Sequence, residues 1–222
     1  MGLYRGLLAP FRGAAFVAKH GLWGYVAVPI VVNVLIALVS GFAAYRLATR
    51  WAPLQGNAWW QVGTAVLAVV LVVPVFLILY PLVSSPFIDL LTEKTESIVT
   101  GSHPSAGLWM GAAQALLHGV AKSGLYLFAL GFTAALSLFL GPAAVLGLVL
   151  GALFLGYDGF DYPLARRRVS FLGKWRYLFS NFAQTAGYCA SASALYALPL
   201  AFIVAPPFVC VGATLAYLDQ QR

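Results

Sequence analysis

Four long stretches of the chain contain no charged side chain, and they limit the available folds more than any other feature. A helix of about 20 apolar residues can cross a hydrocarbon core about 30 Å thick. Each of the four stretches is longer than this and is continuously apolar. The sequence therefore predicts an all-α protein embedded in a membrane. The stretches are residues 20–45, 51–88, 123–157 and 177–218.

The charge content supports the same conclusion and argues against a nucleic-acid partner. Only 9% of the 222 residues are charged, compared with about 25% in a soluble domain. The net charge of +7 could attract nucleic acid, but the basic residues flank the apolar stretches. Membrane topology and anionic lipid headgroups explain that arrangement better. Cys189 and Cys210 lie inside apolar stretches, where we expect buried free thiols.

Proline and glycine residues divide the last two stretches near their middles. Gly141-Pro142 interrupts the third stretch, and Leu198-Pro199 interrupts the fourth. Division at these points leaves helices of roughly 15–20 residues, or about 23–30 Å, which is marginal for a full crossing. We therefore predict two Pro-split hairpins, and the sequence leaves open whether they are half-inserted or cross completely.

The remaining segments follow from charge and periodicity. Arg5, Arg12 and Lys19 recur every seven residues, which places them on one side of an amphipathic helix that would lie in the membrane interface. The prediction is a single membrane domain covering residues 1–222. It contains an interfacial helix at 1–19, two long transmembrane helices at 23–45 and 60–83, an amphipathic cytoplasmic helix at 86–101, hairpins at 123–157 and 177–218, and a basic cytoplasmic segment at 158–176.

The distribution of basic residues agrees with this arrangement. The chain has 13 lysine and arginine residues. If the N-terminus is cytoplasmic and each hairpin returns to its starting side, only Arg46 and Arg50 lie opposite. The positive-inside rule favours such a split. We therefore expect both termini in the cytoplasm.

An acidic helix face follows the second apolar stretch, after a bend that we expect at residues 84–86. Asp89, Glu93 and Glu96 are four and three residues apart, so they share one side of a helix. One interpretation is a face in contact with water, because charge is costly inside the bilayer. The alternative is that Glu93 or Glu96 forms a salt bridge with a basic group from residues 166–168.

The densest basic cluster consists of Arg166, Arg167 and Arg168, followed by Lys174 and Arg176. Three interpretations of this cluster remain open. It could contact lipid headgroups, form salt bridges to the acidic face, or act as a vestibule that attracts an anion.

Asn33 is the only strongly polar side chain in the first predicted span. An amide in hydrocarbon usually forms a hydrogen bond to another helix. Helix packing is therefore one interpretation of Asn33, and a place in a transport pathway is the other.

The sequence contains no pattern typical of an enzyme or a metalloprotein. The three histidines lack the spacing of a metal-binding pair, and none has a carboxylate partner close in sequence. Asp158 and Asp161 resemble an acid–base pair, but they come just before Pro163, where we expect them to cap a turn. We predict no catalytic residues, no metal site and no cofactor.

Four stretches of the sequence resemble one known family. Residues 85–101, SPFIDLLTEKTESIVTG, look like the PFxxLLxEKVE…TG signature of the CysZ sulfate permease family, which is related to the etoposide-induced membrane proteins of eukaryotes. Residues 11–38, 158–178 and 196–219 are similar to three further segments of that family. The matches occur in the family's order and cover most of the chain.

This resemblance implies a bacterial inner-membrane protein with two long transmembrane helices and two partially inserted hairpins. It also implies homo-oligomeric assembly and passive movement of sulfate for cysteine synthesis. The family's proposed sulfate site uses a Gly-Leu-Arg motif at the start of the first span, where this chain has Gly21-Leu22-Trp23.

The tryptophan in place of the family's arginine changes the chemistry at that position. Arginine holds an oxyanion through two charge-assisted hydrogen bonds, whereas Trp23 offers one neutral N–H donor. Backbone N–H groups at a helix start still attract anions, and Lys19 and His20 are adjacent. The resemblance therefore implies an anion site at Lys19, His20, Gly21 and Leu22. The alternative is that Gly21 only starts a helix and Trp23 anchors it at the interface.

Overall fold

The computed structural model describes residues 2–51, 58–101, 143–198 and 201–221, together with the single positions 120, 124, 128 and 131. The regular secondary structure of these residues is entirely helical, which confirms the all-α class. The helices, in chain order, are α1 Gly2–Lys19, α2 Trp23–Trp51, α3 Ala58–Thr100, α4 Ala143–Arg166, α5 Phe171–Ser180, α6 Phe182–Tyr196, α7 Ala201–Val204 and α8 Pro206–Gln220.

The helix α2 corresponds to the first predicted span. Among the described residues, its segment Trp23–Arg50 is the one helix that is long and apolar enough to cross a membrane, by length and composition. Leu38, Val39 and Phe42 on its outer surface are exposed, as expected for side chains that contact lipid. The predicted second span, 60–83, forms part of α3 and stays a prediction.

The helix α3 is longer than the sequence suggested. It continues for 43 residues and ends at Thr100, so residues 86–100 are its last part rather than a separate helix. Ser84 and Ser85, where we expected a bend, are buried, and α2 packs along α3. The helix therefore continues through residues 84–86, although Pro86 cannot donate a backbone hydrogen bond.

The helix α1 packs against α6 and α8 through a stripe of small residues. Gly6, Ala9, Pro10 and Gly13 are buried on this side, while the large apolar side chains Leu3, Tyr4 and Phe11 are exposed on the other. A Cβ atom on Gly6 would lie 2.1 Å from the Gln184 carbonyl oxygen, and one on Gly13 would lie 2.1 Å from that of Phe208. Glycine therefore permits a backbone-to-backbone contact at each crossing.

The helix α8 lies at the centre of the described helices. Twelve of its 15 residues are buried, and it contacts α1, α3 and α4. A helix that is apolar on all sides needs such an enclosed position.

The turn that we predicted before Pro163 is wrong. Asp158, Asp161 and Pro163 all lie inside α4. Asp161 is buried and accepts a hydrogen bond from Lys174 of α5 at 2.5 Å, and Phe160 packs edge-on against Tyr188 of α6. These tertiary contacts keep the segment helical although Pro163 cannot donate a backbone hydrogen bond.

Candidate functional site

The connection between α1 and α2 is built around Gly21. The φ angle of this residue is +66°, a conformation that glycine adopts without strain. The Leu22 N–H donates to the Val17 carbonyl at 3.1 Å, which is the bond that closes a left-handed helix terminus. Leu22 and Val17 then pack in the same buried cluster. Gly21 therefore terminates α1, and this glycine is exposed.

The predicted anion-binding residues are consecutive at this connection, and they differ in whether their side chains are exposed. Lys19, His20 and Gly21 are exposed, whereas the Leu22 side chain is buried. The Leu22 carbonyl accepts from Tyr25 at 3.1 Å, so α2 begins directly after Leu22. The first backbone N–H groups of a helix have no partner within that helix, and they attract anions. The junction thus combines helix-start amides with one exposed lysine.

His20 and Trp23 lie at this junction but add few hydrogen-bond donors for an anion. The Nδ1 atom of His20 lies 3.0 Å from the Phe16 carbonyl oxygen, and the centroids of the His20 and Phe16 rings are 4.1 Å apart with the rings tilted by 32°. That ring nitrogen is therefore engaged with the backbone. Trp23 is 54% exposed, and its ring makes an edge contact with Phe208 of α8 at 6.2 Å.

A second group of charged side chains joins the C-terminal part of α3 to the end of α4. Arg166 donates to Glu96 Oε2 at 2.8 Å and to Asp89 Oδ1 at 3.1 Å. Arg167 donates to the other Glu96 oxygen at 2.6 Å. Arg166 also contacts the Thr92 hydroxyl. We call Asp89, Glu96, Arg166 and Arg167 the α3–α4 ion-pair cluster.

The α3–α4 ion-pair cluster is enclosed at Glu96 and Arg166, is about a third exposed at Asp89 and Arg167, and carries no net formal charge. The side chains of Glu96 and Arg166 are 7% and 11% exposed. The Arg167 guanidinium lies over the ring of Tyr217 in α8, 4.6 Å from its centroid, where the ring face attracts a cation. Two carboxylates and two guanidinium groups cancel, so these arginines stabilise the contact of three helices rather than presenting free positive charge.

These contacts match one of the three interpretations of the basic cluster, in which its arginines form salt bridges to the acidic face of α3. Arg168 follows α4 in the left-handed region, with φ of 54°, and is exposed. Glu93 is half-buried on α3, while the ion pairs of Arg166 and Arg167 are with Asp89 and Glu96.

Asp89 belongs to the acidic face that one interpretation paired with these arginines, but the more specific hypothesis for that face named only Glu93 or Glu96. The spacing of seven residues between Asp89 and Glu96 could have indicated this partner. Seven residues are close to two helical turns, so the two carboxylates point to the same side of α3.

Lys174 is a further basic residue that the structure pairs with a carboxylate. Its ion pair with Asp161 is almost fully enclosed, with side chains 4% and 5% exposed. The sequence placed Lys174 in the basic cluster, and in the structure this lysine joins α4 to α5. Arg176 remains exposed on α5.

Asn33 of α2 connects three helices. Its Nδ2 group donates to the Ile203 carbonyl of α7 at 3.2 Å, and its Oδ1 atom accepts from Ser84 of α3 at 2.6 Å. In a continuous helix the Ile203 carbonyl would accept from residue 207, but Pro207 has no N–H. The Asn33 amide supplies the missing donor, which supports the helix-packing interpretation of this residue.

A chain of hydrogen bonds holds the end of α8 to α5 and α6. The Tyr177 hydroxyl donates to Gln220 Oε1 at 2.6 Å, and Gln220 in turn contacts Gln184. Gln184 donates to the Ala216 carbonyl at 2.8 Å. These polar contacts fix the C-terminal helix against both neighbours, so their role is to hold the fold together rather than to line the candidate site.

Comparison with known proteins gives one family match. A family model described as sulfate transporter CysZ/etoposide-induced protein 2.4 matches residues 9–207. The matched range includes the α1–α2 junction and the whole α3–α4 ion-pair cluster. No curated protein matches the chain. Among the described residues, no group of three or more His, Cys, Asp or Glu side chains is placed to hold a metal ion.

Proposed function

Because the chain belongs to the sulfate transporter CysZ/etoposide-induced protein 2.4 family, we propose that it is an integral membrane permease or channel for sulfate or a similar oxyanion. The observation that carries the proposal is the family match over residues 9–207. In this proposal the protein supplies sulfate for sulfur assimilation and cysteine synthesis. It works as a homo-oligomer in a bacterial inner membrane, with both termini in the cytoplasm.

The proposed anion site is the α1–α2 junction. Lys19 supplies a positive charge there, and the first-turn amides of α2 supply N–H donors with the positive end of the helix dipole. The space beside Gly21 is open to an anion, because a Cβ atom built on this residue would have no heavy atom within 4 Å. Leu22 contributes its backbone position while its side chain anchors the junction in the core.

This site would bind an oxyanion weakly. It lacks the bidentate guanidinium contact that arginine provides, and its lysine is exposed. Weak binding suits a channel, since an anion must leave as readily as it enters. Arg166 and Arg167 contribute little to attraction because their charges are compensated by Asp89 and Glu96.

Uptake of radiolabelled sulfate into liposomes that contain the purified full-length protein tests the proposal. We expect flux above that of protein-free liposomes, and we expect excess sulfite to reduce it. Equal flux in both preparations would reject the permease. Trp23→Arg is the matched variant for the site, and we expect it to increase sulfate binding by restoring the bidentate donor of the family motif.

A second candidate function is a membrane scaffold or accessory subunit that does not transport. Two observations favour it. Trp23 occupies the position of the family's arginine, and the structure neutralises two of the three arginines at the end of α4. Under this function, neither the parent protein nor the Trp23→Arg variant would move or bind sulfate.

A further inference from the structure

A groove lies between α4, α5 and α6, away from the α1–α2 junction. Its volume is about 270 Å³. The walls are almost entirely apolar and include Leu153 of α4, Trp175 and Leu178 of α5, and Ala186 and Cys189 of α6. None of these residues takes part in the proposed anion site.

The groove opens to the outside along an aromatic edge. Phe179 and Phe182 line it and are also exposed, at 57% and 63%. Phe171 and Leu172, on the preceding turns of α5, are exposed as well. A short helix that presents several large apolar side chains outward is typical of a segment lying at a membrane surface.

One polar group in the groove has no hydrogen-bond partner within the described part of the chain. The Thr185 hydroxyl is buried and makes no such bond there, although the Thr185 backbone N–H donates normally to the Asn181 carbonyl at 3.0 Å. Thr185 lines the groove and is 3% exposed. Buried hydroxyls are nearly always hydrogen-bonded, so the groove suits a ligand that is mostly apolar and carries a hydrogen-bond acceptor.

Two exposed arginines are close in sequence to residues that line the groove. Arg176 is exposed on α5, between the lining residues Trp175 and Phe179 in sequence. Arg168 is exposed in the turn that precedes α5. Exposed arginines next to an apolar surface fit the phosphate of an anionic lipid headgroup.

We propose that this groove binds one acyl chain of an anionic membrane phospholipid. The Thr185 hydroxyl donates to the ester carbonyl of that chain, and Arg176 contacts the phosphate. The size of the groove favours a lipid over a protein partner, because a helix with side chains is about 10–12 Å wide whereas an acyl chain is narrow. The proposal does not depend on sulfate transport and holds equally for a scaffold.

Native mass spectrometry of the full-length protein, exchanged into detergent with phosphatidylglycerol or phosphatidylcholine, tests the proposal. We expect Thr185→Val to reduce retained phosphatidylglycerol by about threefold to tenfold, the factor that one hydrogen bond contributes. Thr185→Ser, which keeps the hydroxyl, should retain the lipid as the parent does. Arg176→Gln should reduce the preference for phosphatidylglycerol over phosphatidylcholine. Equal retention by the valine and serine variants would overturn the role of Thr185.

A groove-filling variant provides an independent test. Ala190 is exposed and lines the groove, so Ala190→Trp should block the acyl chain without disturbing the core. Ala15→Trp, on the exposed side of α1, is the control and should leave retention unchanged. Retention by Ala190→Trp equal to that of the parent would overturn the proposal.

The occupant can be identified directly by a photo-crosslinking amino acid at position 190 in proteoliposomes. We expect crosslinks to phospholipid. Crosslinks mainly to a second copy of the chain, or to residues 102–142 of the same chain, would show that protein fills the groove and would also overturn the proposal.

Discussion

Glu96 accepts hydrogen bonds from two arginines at once, and its side chain is 7% exposed. Removing this carboxylate would leave the enclosed Arg166 guanidinium, which is 11% exposed, with the partly exposed Asp89 as its remaining ion-pair partner among the residues of the cluster. An uncompensated buried charge costs more than the lost attraction between the partners. The ion pair of Arg12 with Asp219 has similar length, 2.7 Å, but its side chains are 41% and 30% exposed, so water can replace either partner.

We therefore expect Glu96→Gln to lower the free energy of unfolding by about 3 kcal/mol. Asp219→Asn is the matched control and should cost about 1 kcal/mol or less. Denaturant unfolding in detergent, followed by tryptophan fluorescence, measures both. Equal losses in the two variants would contradict the enclosed character of the α3–α4 ion-pair cluster.

The identity of these ion pairs was only partly predictable from the sequence. The acidic face and the arginine run both stand out as charge patterns, and their pairing was one of the alternatives. The choice between Glu93 and Glu96 depends on the rotation of α3 against α4, which no local pattern specifies. Lys174 could not be identified as buried, since its partner Asp161 lies in a segment that has the sequence features of a turn.

At the level of helices, the two crossings of α1 depend on glycine in both partners. Gly13 contacts the backbone of α8 around Gly212, and a Cβ atom on Gly212 would lie 2.2 Å from the Ala9 carbonyl oxygen. Gly6 and Gly187 have the same relationship between α1 and α6. Small residues allow helices to approach closely and gain packing contacts.

Gly13→Ala should force α1 and α8 apart and lower stability by about 1–3 kcal/mol. Its added Cβ would lie 2.1 Å and 2.6 Å from backbone atoms of Phe208 and Gly212, which cannot move as a flexible side chain can. Gly151→Ala in α4 meets no atom within 4 Å, and we expect it to stabilise by up to about 1 kcal/mol. Thermal unfolding of both variants should therefore shift in opposite directions, and a shared direction would contradict the close contact.

The helical character of α1 was predictable, but its packed face was not. Charge spacing at Arg5, Arg12 and Lys19 indicated an amphipathic helix that rests on lipid. The structure adds that the buried side carries Gly6, Ala9 and Gly13 at helical spacing. Such a stripe predicts close packing only when a complementary stripe exists on another helix, and the sequence alone does not identify that partner.

The Asn33 contact allows a test of packing against a pathway role. Asn33→Leu removes the donor to Ile203 and the acceptor for Ser84, whereas Ser84→Ala removes only the second bond. If Asn33 serves packing, its variant should be the less stable of the two, and the coupling in a double-mutant cycle should be about 0.6 kcal/mol. A loss of sulfate flux at unchanged stability would instead favour the pathway role.

At the level of the whole molecule, α8 organises the described helices around one buried axis. It contacts α1 at the glycine crossing, α3 and α4 near the ion-pair cluster, and α2 near Trp23. The all-α class and the long apolar helix α2 were predictable because hydrophobic length is a local property, and the family was predictable from four matching sequence segments. Helix order around α8 was not, because it depends on the tertiary contacts of Gly13, Asn33 and Glu96.

Membrane topology is the property of the whole chain that follows most directly from charge. The prediction that both hairpins return to the cytoplasmic side rests on the positive-inside rule and on the proline breaks. Single cysteines can report the side of each loop after Cys189 and Cys210, the two native cysteines, are replaced by alanine. Lys122→Cys precedes the first hairpin, and Arg168→Cys follows it in an exposed turn.

In inside-out vesicles, we expect a membrane-impermeant maleimide to label both Lys122→Cys and Arg168→Cys, because a segment that enters and leaves on one side places its two flanks together. Arg50→Cys, near the C-terminal end of α2, is the control. The predicted topology places this end away from the cytoplasm, so the variant should react only in right-side-out vesicles. Labelling of Lys122→Cys and Arg168→Cys from opposite sides would show that residues 123–157 cross the bilayer an odd number of times. The ion-pair cluster would then lie on the other side of the membrane from Lys122, and the predicted grouping of basic residues in the cytoplasm would fail.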